Sequence, residues 1–305
     1  MMKIFVTGAT GYLGYHFVKV AVSQGHKVIC LRRPTSVSLF EPIVEQQIQW
    51  VNNDDEAKLR ETVNAFQPDV LFHAAWGGVR GAGREDAVIQ QENLVMSRKL
   101  YQLYPYKQII GLGSQGEYGF YEGLAYEDQK LNPLTLYGKA KAQTCEELRA
   151  YCEKHNIEWQ WIRIFTVFGE KLTGGLIKLI AERCLAGDKE FDTTKGEQKY
   201  SYLYAADYAK AICRVLGTRG KSGIYNLSQP ADVHSNKEIL TKVKDILDSD
   251  IQLNFGALPY EKNQVMYMDG CVTKFENAFG AIPHTDFEEA LESTVESVKS
   301  TFVKK

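Results

Sequence analysis

Tyr137 and Lys141 are the residues whose types and spacing most directly suggest catalysis. Side chains four residues apart lie on the same face of a helix, so the phenol and the ammonium would be neighbours. A tyrosine with the usual pKa of about 10 is a poor acid at neutral pH, but a nearby ammonium stabilises the phenolate and lowers that pKa. The pair could therefore pass a proton to or from an alcohol or carbonyl oxygen. The spacing alone is a weak signal, because the chain has 17 tyrosines and 36 lysines and arginines.

Ser114 supplies a hydroxyl partner for this pair. It ends the apolar run at residues 109–114, which predicts a buried strand. A hydroxyl at that strand end can hydrogen-bond a reacting carbonyl group beside Tyr137. We therefore predict that Ser114, Tyr137 and Lys141 are the catalytic residues of this chain.

Three glycines, Gly8, Gly11 and Gly14, directly follow the first predicted strand and open the first predicted helix. A diphosphate needs backbone N–H groups pointed at it with no side chain in the way, and glycines at a strand-to-helix turn provide both. The helix N-terminus adds its partial positive charge, and Gly14 lets the helix approach the strand closely. The spacing Gly-x-x-Gly-x-x-Gly predicts a dinucleotide site, although glycines of a tight turn can also be purely structural.

The loop after the second predicted strand selects the form of the dinucleotide. A carboxylate there would hydrogen-bond the ribose hydroxyls of NAD and repel a 2′-phosphate. The strand instead runs into Arg32, Arg33, Pro34, Thr35 and Ser36, without an acid. Guanidinium groups offer forked, charge-assisted donors to a phosphate. We predict NADP(H) in preference to NAD(H); the alternative is that both arginines are solvated surface residues.

The elements that must position these residues alternate along the first half of the chain. Runs rich in Val, Ile and Phe predict strands at residues 3–7, 27–31, 48–52, 69–73, 108–112 and 159–164. Helices are predicted between them at residues 12–23, 55–66, 86–104 and 136–155. Later residues predict helices at 176–185, 207–216, 236–247 and 287–300, mixed with strands at 223–227 and 251–255.

This pattern predicts an α/β fold. Repeated strand–helix alternation indicates a Rossmann-type doubly wound parallel sheet, which we place at residues 1–168 as an NADP-binding domain. Residues 169–305 would form a smaller mixed α/β substrate lobe, with some chain returning to the first domain. We expect the lobes to pack closely and to enclose a ligand cleft.

Composition limits the class of protein. The 305 residues carry a formal charge of -2 and are 44% hydrophobic, which is ordinary for a globular chain with a packed core. The charge balance offers no basic footprint for nucleic acid or an anionic membrane, and no run of about 18 apolar residues suggests a membrane span. We see no secretory signal, no metal-ligand spacing and no disulfide pattern among the six scattered cysteines. We therefore expect a cytoplasmic protein with reduced thiols and no bound metal.

Together the motifs resemble those of the extended short-chain dehydrogenase/reductase family, in its NAD(P)-dependent epimerase/dehydratase branch that acts on nucleotide sugars. The resemblance covers essentially the whole chain and looks closest to nucleotide-4-keto-6-deoxyhexose reductases. Besides the glycine loop and the catalytic set, the shared motifs are His73-Ala74-Ala75, Asn93, Glu117-Tyr118-Gly119, Pro133 four residues before Tyr137, residues 163–169, Tyr204-x-x-Asp207, Tyr225-Asn226-Leu227 and Gly256-Ala257-Leu258-Pro259-Tyr260.

The resemblance implies roles for these residues. Ser114 and Tyr137 would bind the substrate oxygen, with Tyr137 as the proton donor, and Lys141 would hold the nicotinamide ribose. The implied cofactor-binding residues are Gly8, Thr10, Gly11, Tyr12, Leu13, Gly14, Arg32, Arg33, Ser36, Asp54, Ala74, Ala75, Asn93, Tyr137, Lys141 and Phe165. The implied substrate-binding residues are Trp76, Gln115, Glu117, Thr166, Lys178 and Lys262. Relatives pair corresponding helices across a dimer interface, so the resemblance also implies a homodimer.

Departures from the family motifs narrow the reaction. Sugar 4,6-dehydratases carry Asp-Glu directly after the catalytic hydroxyl residue, and this chain has Gln115-Gly116 there. Epimerase–reductases resembling GDP-fucose synthase use a cysteine two residues after the serine, where Gly116 stands. Enzymes resembling UDP-galactose 4-epimerase keep the strand-end acid that this chain lacks.

The remaining expectation is NADPH-dependent reduction of a nucleotide-linked 4-keto sugar, of the CDP- or dTDP-4-keto-6-deoxyhexose type. The alternatives are a nucleotide-sugar 4-epimerase and, from a different class, a non-catalytic NADP-sensing binding protein. An intact Ser114, Tyr137 and Lys141 set argues against the second alternative, because a sensor needs no proton donor.

Several positions on the substrate side leave their roles open. Thr166 replaces an asparagine that most relatives use, and Tyr200 stands where many have an arginine for the diphosphate. Lys262 could substitute for such an arginine as a point charge. Residues 76–84 either line the sugar pocket or form a lid with ordinary packing. Glu117 either helps to select the sugar or is a solvated turn residue.

Overall fold

The computed structural model describes residues 1–121 and 123–302 of the chain. Its strands are β1 (Lys3–Thr7), β2 (Lys27–Arg32), β3 (Ile48–Asn52), β4 (Val70–His73), β5 (Gln108–Ser114), β6 (Leu124–Ala125), β7 (Glu158–Ile164), β8 (Thr166–Phe168), β9 (Glu190–Thr193), β10 (Lys199–Tyr204), β11 (Gly223–Leu227), β12 (Val233–Ser235), β13 (Gln252–Phe255) and β14 (Tyr267–Gly270). Its α-helices are α1 (Tyr12–Ser23), α2 (Pro42–Glu45), α3 (Glu56–Phe66), α4 (Ala87–Tyr101), α5 (Leu136–His155), α6 (Leu176–Ala186), α7 (Ala205–Val215), α8 (Asn236–Ile246), α9 (Thr273–Phe279) and α10 (Phe287–Phe302). Two short 3₁₀ helices are formed by Gly81–Glu85 and Gln115–Glu117.

Seven parallel strands form the central sheet, in the order β11-β7-β5-β4-β1-β2-β3. Neighbouring residues of β1 point to opposite faces, so Ile4 and Val6 pack with α1 and α7, and Phe5 packs with α3, α4 and α5. All three side chains are completely buried. Helices cover both faces, and apolar residues predominate in most of these strands, so the predicted Rossmann-type sheet is confirmed.

A ligand crevice is expected where the strand order of the sheet reverses. The chain runs from β1 outward to β2 and β3 on one side, and then crosses back to β4 on the other. The loops that follow β1 and β4 therefore separate at the carboxyl edge of the sheet. In open α/β sheets this is the position where dinucleotides bind.

The second lobe is built around β10. This strand pairs with β12 on one side and β14 on the other, and its later residues pair with β8. Strand β6 pairs with β14. The pairing of β10 with β12 is antiparallel and the pairing with β14 is parallel, so the lobe is mixed. Helices α6, α8 and α10 pack with this sheet around Phe168, Tyr202 and Leu291. After this lobe begins, the chain adds β11 to the central sheet, and the division of the chain into two domains at residue 168 stays a prediction.

The predicted elements of the first half are confirmed, with most ends within two residues. The largest difference is in α4, which ends at Tyr101 rather than at residue 104. Pro105 lies four residues after this end, and because the residue before a proline is disfavoured in helical backbone, Tyr104 does not extend the helix. The short strands β6, β8, β9, β10, β12 and β14 and the helices α2 and α9 were not predicted. Strands of two to six residues that are only partly buried carry too few apolar positions to show a period.

Residues 1–121 and 123–302 contain neither a candidate membrane span nor a candidate metal cluster. No helix there is long and apolar enough to cross a bilayer. The same residues contain no group of three or more His, Cys, Asp or Glu side chains placed to hold a metal ion. All six cysteines are free thiols, and five of them are buried.

Candidate active site

The glycine loop after β1 forms a cradle that has no room for side chains. A Cβ atom added to Gly8 would lie 2.6 Å from the amide nitrogen of Ala75, and one added to Gly14 would lie 2.1 Å from the carbonyl oxygen of Gly8. Gly11 is the N-cap of α1 and has no side chain with which to cap the first-turn amides. Tyr12 begins the helix, and its buried hydroxyl has no hydrogen-bond partner among the described residues. This cradle fits the diphosphate of a dinucleotide.

A buried hydrogen-bonded chain ties β1 and β4 to α4. Thr7 Oγ1 lies 2.8 Å from His73 Nδ1, and Ser97 Oγ lies 2.9 Å from His73 Nε2. Because the Ser97 hydroxyl donates to the carbonyl oxygen of Asn93 at 2.8 Å, it accepts from Nε2–H, and the Thr7 hydroxyl donates to Nδ1. Burial lowers the pKa of His73 to about 3, so the ring is neutral. His73 thus holds the loop after β4 in place and is not a proton donor at neutral pH.

Two amide side chains of α4 fix the segment that follows β4. Asn93 pairs with the backbone of Gly77, accepting from its N–H at 2.8 Å and donating to its carbonyl oxygen at 3.0 Å. Gln90 accepts from Trp76 Nε1 at 2.9 Å and donates to the carbonyl oxygen of Gly83 at 2.9 Å. The amide of Asn93, implied as a cofactor ligand, is therefore used to hold the Trp76 segment.

Ser114 is held at the junction between β5 and the short helix Gln115–Glu117. Its hydroxyl donates to Gln115 Oε1 at 3.0 Å and accepts from the N–H of Gly116 at 3.1 Å. A Cβ atom added to Gly116 would lie 3.4 Å from Ser114 Oγ and 3.5 Å from Cε1 of Tyr137. The serine hydroxyl, the Gln115 amide and the tyrosine ring therefore lie close together around Gly116, and we refer to the space between them as the pocket.

Glu117 lies beneath this pocket and not in it. Its carboxylate is completely buried and accepts hydrogen bonds from Ser114 N at 2.8 Å, from Trp161 Nε1 at 3.0 Å and from Arg163 Nε at 2.9 Å. The side chains of Glu117 and Arg163 form an ion pair and are 0% and 2% exposed. Neither role considered for Glu117, sugar contact or solvated turn, agrees with this placement. The carboxylate positions the backbone of Ser114.

Tyr137 is the second residue of α5. The helix begins after Thr135, whose hydroxyl accepts from the N–H of Gly138 at 3.1 Å and caps the first turn. The tyrosine ring is 8% exposed and lies edge-on to Trp76, with 6.4 Å between ring centroids. The guanidinium carbon of Arg84 lies 4.7 Å from the centroid of the same ring. The phenol is thus enclosed by an indole and a cation.

Opposing influences act on the acidity of Tyr137. Burial raises the pKa of its hydroxyl above the ordinary value, because the phenolate would lose its solvation. The neighbouring Ser114 hydroxyl and the positive charge of Arg84 lower the pKa, and the negative charge of Glu117 raises it. The arrangement favours a protonated tyrosine at neutral pH, which is the form needed to give a proton to a substrate oxygen.

Lys141 lies one turn after Tyr137 on α5, as the spacing predicted. Its ammonium is 4% exposed, donates to the carbonyl oxygen of Leu112 at 2.7 Å and lies 3.8 Å from the centroid of the Trp76 ring. Burial lowers the pKa of this ammonium, and the charge of Glu117 opposes that effect. The lysine is thus held between β5 and the Trp76 segment at the wall of the pocket.

The two arginines after β2 have different surroundings. Arg32 stacks on Trp50 with its guanidinium carbon 5.1 Å from the ring centroid, and its Nε donates to Asn52 Oδ1 at 3.3 Å. Arg33 is exposed, and its carbonyl oxygen accepts from the N–H of Ser36 at 2.9 Å. Arg32 is therefore partly fixed at the end of the strand, whereas the guanidinium of Arg33 is open to solvent.

The predicted substrate ligands of the second lobe are separate from one another. Thr166 lies in β8 and is half-buried. Lys178 lies in α6, where its ammonium is 3.0 Å from a carboxylate oxygen of Glu182. Lys262 is exposed in the connection between β13 and β14. No contact among the described residues links these three side chains to Tyr137.

Phe165 and Asp54, two implied cofactor ligands, differ in their exposure to solvent. Phe165 is 4% exposed, and its ring lies 6.3 Å from the ring of Tyr118. A Cβ atom added to Gly270 would lie 2.4 Å from the Phe165 ring, so the side chain contacts protein on that side too. Asp54 is exposed in the turn after β3.

Arg84 and Arg163 contact the proposed site. Arg84 ends the segment 76–84 that was expected either to line the sugar pocket or to form a lid, and Arg163 lies in a shared motif but was given no role. Arg84 lies in the glycine-rich segment before α4, where no periodic pattern indicates which way a side chain points. Arg163 lies within an otherwise mostly apolar strand, β7. A charged residue in such a strand does indicate a buried partner, because an unpaired charge is costly there. That signal could have been used to predict that Glu117 is the buried partner of Arg163.

Known proteins similar to this chain include enzymes that act on nucleotide sugars. The family model of the NAD dependent epimerase/dehydratase family matches residues 4–228. A CDP-abequose synthase of Salmonella muenchen is 24% identical over 87% of this chain and 87% of its own length. A UDP-glucose 4-epimerase of Lactobacillus helveticus is 26% identical over 84% of each chain. The structure of a Thermotoga maritima UDP-glucose 4-epimerase with UDP-glucose has a TM-score of 0.85 at 23% identity, covering 98% of this chain and 99% of that one. At this identity the structural likeness establishes the fold.

Proposed function

Since the chain belongs to the NAD dependent epimerase/dehydratase family, we propose that it is an NADPH-dependent reductase of a nucleotide-linked 4-keto sugar. The substrate would be of the CDP- or dTDP-4-keto-6-deoxyhexose type. The observation that carries this proposal is the chemistry of the pocket. The Ser114 hydroxyl neighbours the hydroxyl of Tyr137, the tyrosine ring lies beside Gly116, and the carboxylate of Glu117 is fully buried.

The groups in this pocket match the needs of a ketone reduction. Elimination of water from the sugar would need an acid and a base of its own, and epimerisation beside the ketone would need a further acid. A ketone reduction needs one proton donor and one group that orients the carbonyl. Tyr137 and Ser114 provide these two functions.

The chemistry divides between the cofactor and the protein. When bound, the reduced nicotinamide supplies a hydride to C4 of the sugar. The Ser114 hydroxyl orients the C4 oxygen, and Tyr137 gives its proton to that oxygen as negative charge develops there. Lys141, at the pocket wall, would hold the nicotinamide ribose. The proton that leaves Tyr137 is replaced from solvent, so one ketone and one proton give one alcohol for each hydride transferred.

The preference for NADPH rests on the arginines after β2. Arg32 is fixed beside Trp50, and Arg33 is free to turn toward a 2′-phosphate. Charge-assisted hydrogen bonds contribute roughly 1.5–3 kcal/mol, which corresponds to at least about a tenfold preference. We expect kcat/KM for NADPH to exceed that for NADH by this factor. Equal use of the two cofactors would contradict the preference.

The direct test is a turnover assay with a substrate panel. Loss of NADPH is followed over CDP-, dTDP-, GDP- and UDP-linked 4-keto sugars, and the product is identified by NMR. We expect consumption of NADPH with a CDP- or dTDP-linked substrate and a new hydroxyl group at C4. No turnover with any sugar would reject the reductase and favour a protein that binds NADP without catalysis.

A second candidate is a nucleotide-sugar 4-epimerase. Relatives of this chain include UDP-glucose 4-epimerases. An epimerase would retain NAD through purification and would interconvert two sugars without net consumption of cofactor. Cofactor content after purification, measured by absorbance of the released nucleotide, therefore separates the two candidates before any substrate is known.

A further inference from the structure

Arg84 is a cation placed against the proton donor of the pocket. It lies on the short helix Gly81–Glu85, which is held by the hydrogen bond from Gln90 to the carbonyl oxygen of Gly83. From there its guanidinium carbon reaches 4.7 Å from the centroid of the Tyr137 ring. Within the part of the chain that the structure describes, no carboxylate lies within ion-pair distance of Arg84. Its charge is therefore directed at the tyrosine.

The guanidinium also faces the pocket in which the reaction would occur. A Cβ atom added to Gly116 would lie 3.2 Å from Arg84 Nη2, as well as close to Ser114 Oγ and Tyr137. One point in space is thus within 3.5 Å of a guanidinium nitrogen, a serine hydroxyl and the tyrosine ring. Arg84 therefore lies beside both Ser114 and Tyr137 at this point.

The ammonium of Lys141 is engaged elsewhere. It donates to the carbonyl oxygen of Leu112 and lies under the Trp76 ring, on the side of the pocket formed by β5. The spacing of Tyr137 and Lys141 predicted that this lysine is the cation beside the phenol. The geometry gives the contact with the phenol ring to Arg84 instead.

We propose that Arg84 is a positioning residue for Tyr137, a guanidinium that holds the phenol in place and stabilises the phenolate left after the proton has moved to the substrate. The inference rests on the proposed function, in which Tyr137 gives that proton. A guanidinium over an aromatic face is attracted to the ring, and its attraction increases when the ring becomes negative. The bond that breaks is O–H of Tyr137 and the bond that forms is O–H at C4 of the sugar.

Charged and titratable groups face Tyr137 from every neighbouring element. Arg84 and Glu85 lie on the short helix, and the Glu85 carboxylate accepts from the N–H of Leu136 at 3.4 Å. Glu117 lies below, and Lys141 lies one turn along α5. Of these groups, Arg84 opposes the effect of burial and makes Tyr137 more acidic, whereas Glu117 makes it less acidic. Removal of Arg84 should therefore make the tyrosine a weaker acid.

The test compares Arg84→Gln with Arg84→Lys and with a control, Arg80→Gln. Arg80 lies on the same segment but packs against Gly174, where an added Cβ atom would meet its guanidinium. The tyrosine Cζ carbons are labelled with ¹³C, and the Tyr137 signal is assigned by its loss in Tyr137→Phe. In Arg84→Gln we expect deprotonation of Tyr137, in the holoenzyme, to move up by about one pH unit, with Arg84→Lys between it and the wild type. Arg80→Gln should titrate as the wild type does.

The same variants are assayed for turnover with NADPH and the keto sugar identified in the panel. We expect kcat of Arg84→Gln to fall about tenfold, with the high-pH limb of its rate profile shifted upward and KM for NADPH unchanged. A raised KM for the sugar with an unshifted tyrosine titration would show that Arg84 binds substrate, and would overturn the inference. A shifted titration without turnover on any sugar would keep the role of Arg84 and reject the reductase.

Discussion

The ring and the hydroxyl group of Tyr137 have separate roles, packing for the ring and the proposed proton donation for the hydroxyl. The ring packs against Trp76 and Arg84, whereas the hydroxyl group faces Ser114. Tyr137→Phe keeps the first set of contacts and removes the proton donor. We expect kcat to fall by about 10²–10⁴-fold, the usual contribution of a general acid, and the Kd for NADPH to change little. The rate comes from the turnover assay and the Kd from quenching of protein fluorescence; full activity in this variant would contradict the role of Tyr137.

Gly8 and Gly25 allow the cradle to be tested with a matched control. Both have a φ of 79°, so an alanine at either position bears the same left-handed strain, about 1–2 kcal/mol. An added Cβ atom meets the backbone of Ala74 and Ala75 at Gly8 and meets nothing at Gly25. We expect Gly8→Ala to lower the melting temperature more than Gly25→Ala does, and to lose cofactor binding. Equal effects of the two substitutions in thermal unfolding and in NADPH titration would show that the close approach is unimportant.

At the scale of elements, the buried ion pair joins β7 to the short helix after β5. Glu117 and Arg163 are both enclosed, so Glu117→Ala would leave the arginine charge without a partner in the interior. Breaking such a pair by removing one member costs about 3–5 kcal/mol. We expect this loss in the free energy of unfolding, measured with denaturant, together with loss of activity because the backbone of Ser114 is released.

A control for this substitution is Glu146→Ala. Glu146 pairs with Arg149 on the surface of α5, where the two side chains are 55% and 47% exposed. Exposed pairs contribute little, and we expect a change below about 1 kcal/mol. A Glu117→Ala variant as stable as Glu146→Ala would mean that water or a backbone shift compensates the buried arginine.

Strands and helices that are well buried were predicted more accurately from the sequence than those that are partly exposed. The central strands of the sheet are covered by helices on both faces, so β1 has an apolar centre, Ile4-Phe5-Val6, and was predicted with the bounds that the structure shows. In the second lobe, β9 alternates exposed and half-buried residues over four positions, which is too short for a period to be recognised. The resemblance to the epimerase/dehydratase family, which rested on motifs of the whole chain, is confirmed.

The relative placement of the proposed catalytic residues follows local rules more closely than the placement of their neighbours does. Tyr137 and Lys141 are related by the helical period, and Ser114 ends a strand, so local rules bring each to the same edge of the sheet. The partners of these residues come from distant parts of the chain. Arg84 reaches Tyr137 from a segment without regular spacing, and Arg163 reaches Glu117 across two strands. Tertiary packing decides such contacts, and local sequence patterns do not encode them.

For the whole molecule we propose a homodimer formed through α4 and α5. Apolar side chains on α4 are exposed, with Val88 at 68% and Val95 at 41%, and Arg98 links α4 to Glu147 of α5. Light scattering should give a mass of about twice the 34.5 kDa of the chain. Val95→Glu should produce monomers because it places charge in the interface, whereas Val37→Glu, at a residue 78% exposed outside α4, should not. A monomeric wild type at micromolar concentration would reject this assembly.

The return of the chain through β11 has a consequence for biosynthesis. The other six strands of the central sheet are complete by Ile164, and the outermost strand begins only at Gly223. While the intervening residues are being translated, β7 has an open edge, and an open edge is a template for association with other chains. Closing the sheet therefore waits for the second lobe to emerge from the ribosome. Premature termination between these two points would leave an aggregation-prone nascent fragment, although that fragment would already contain Ser114, Tyr137 and Lys141.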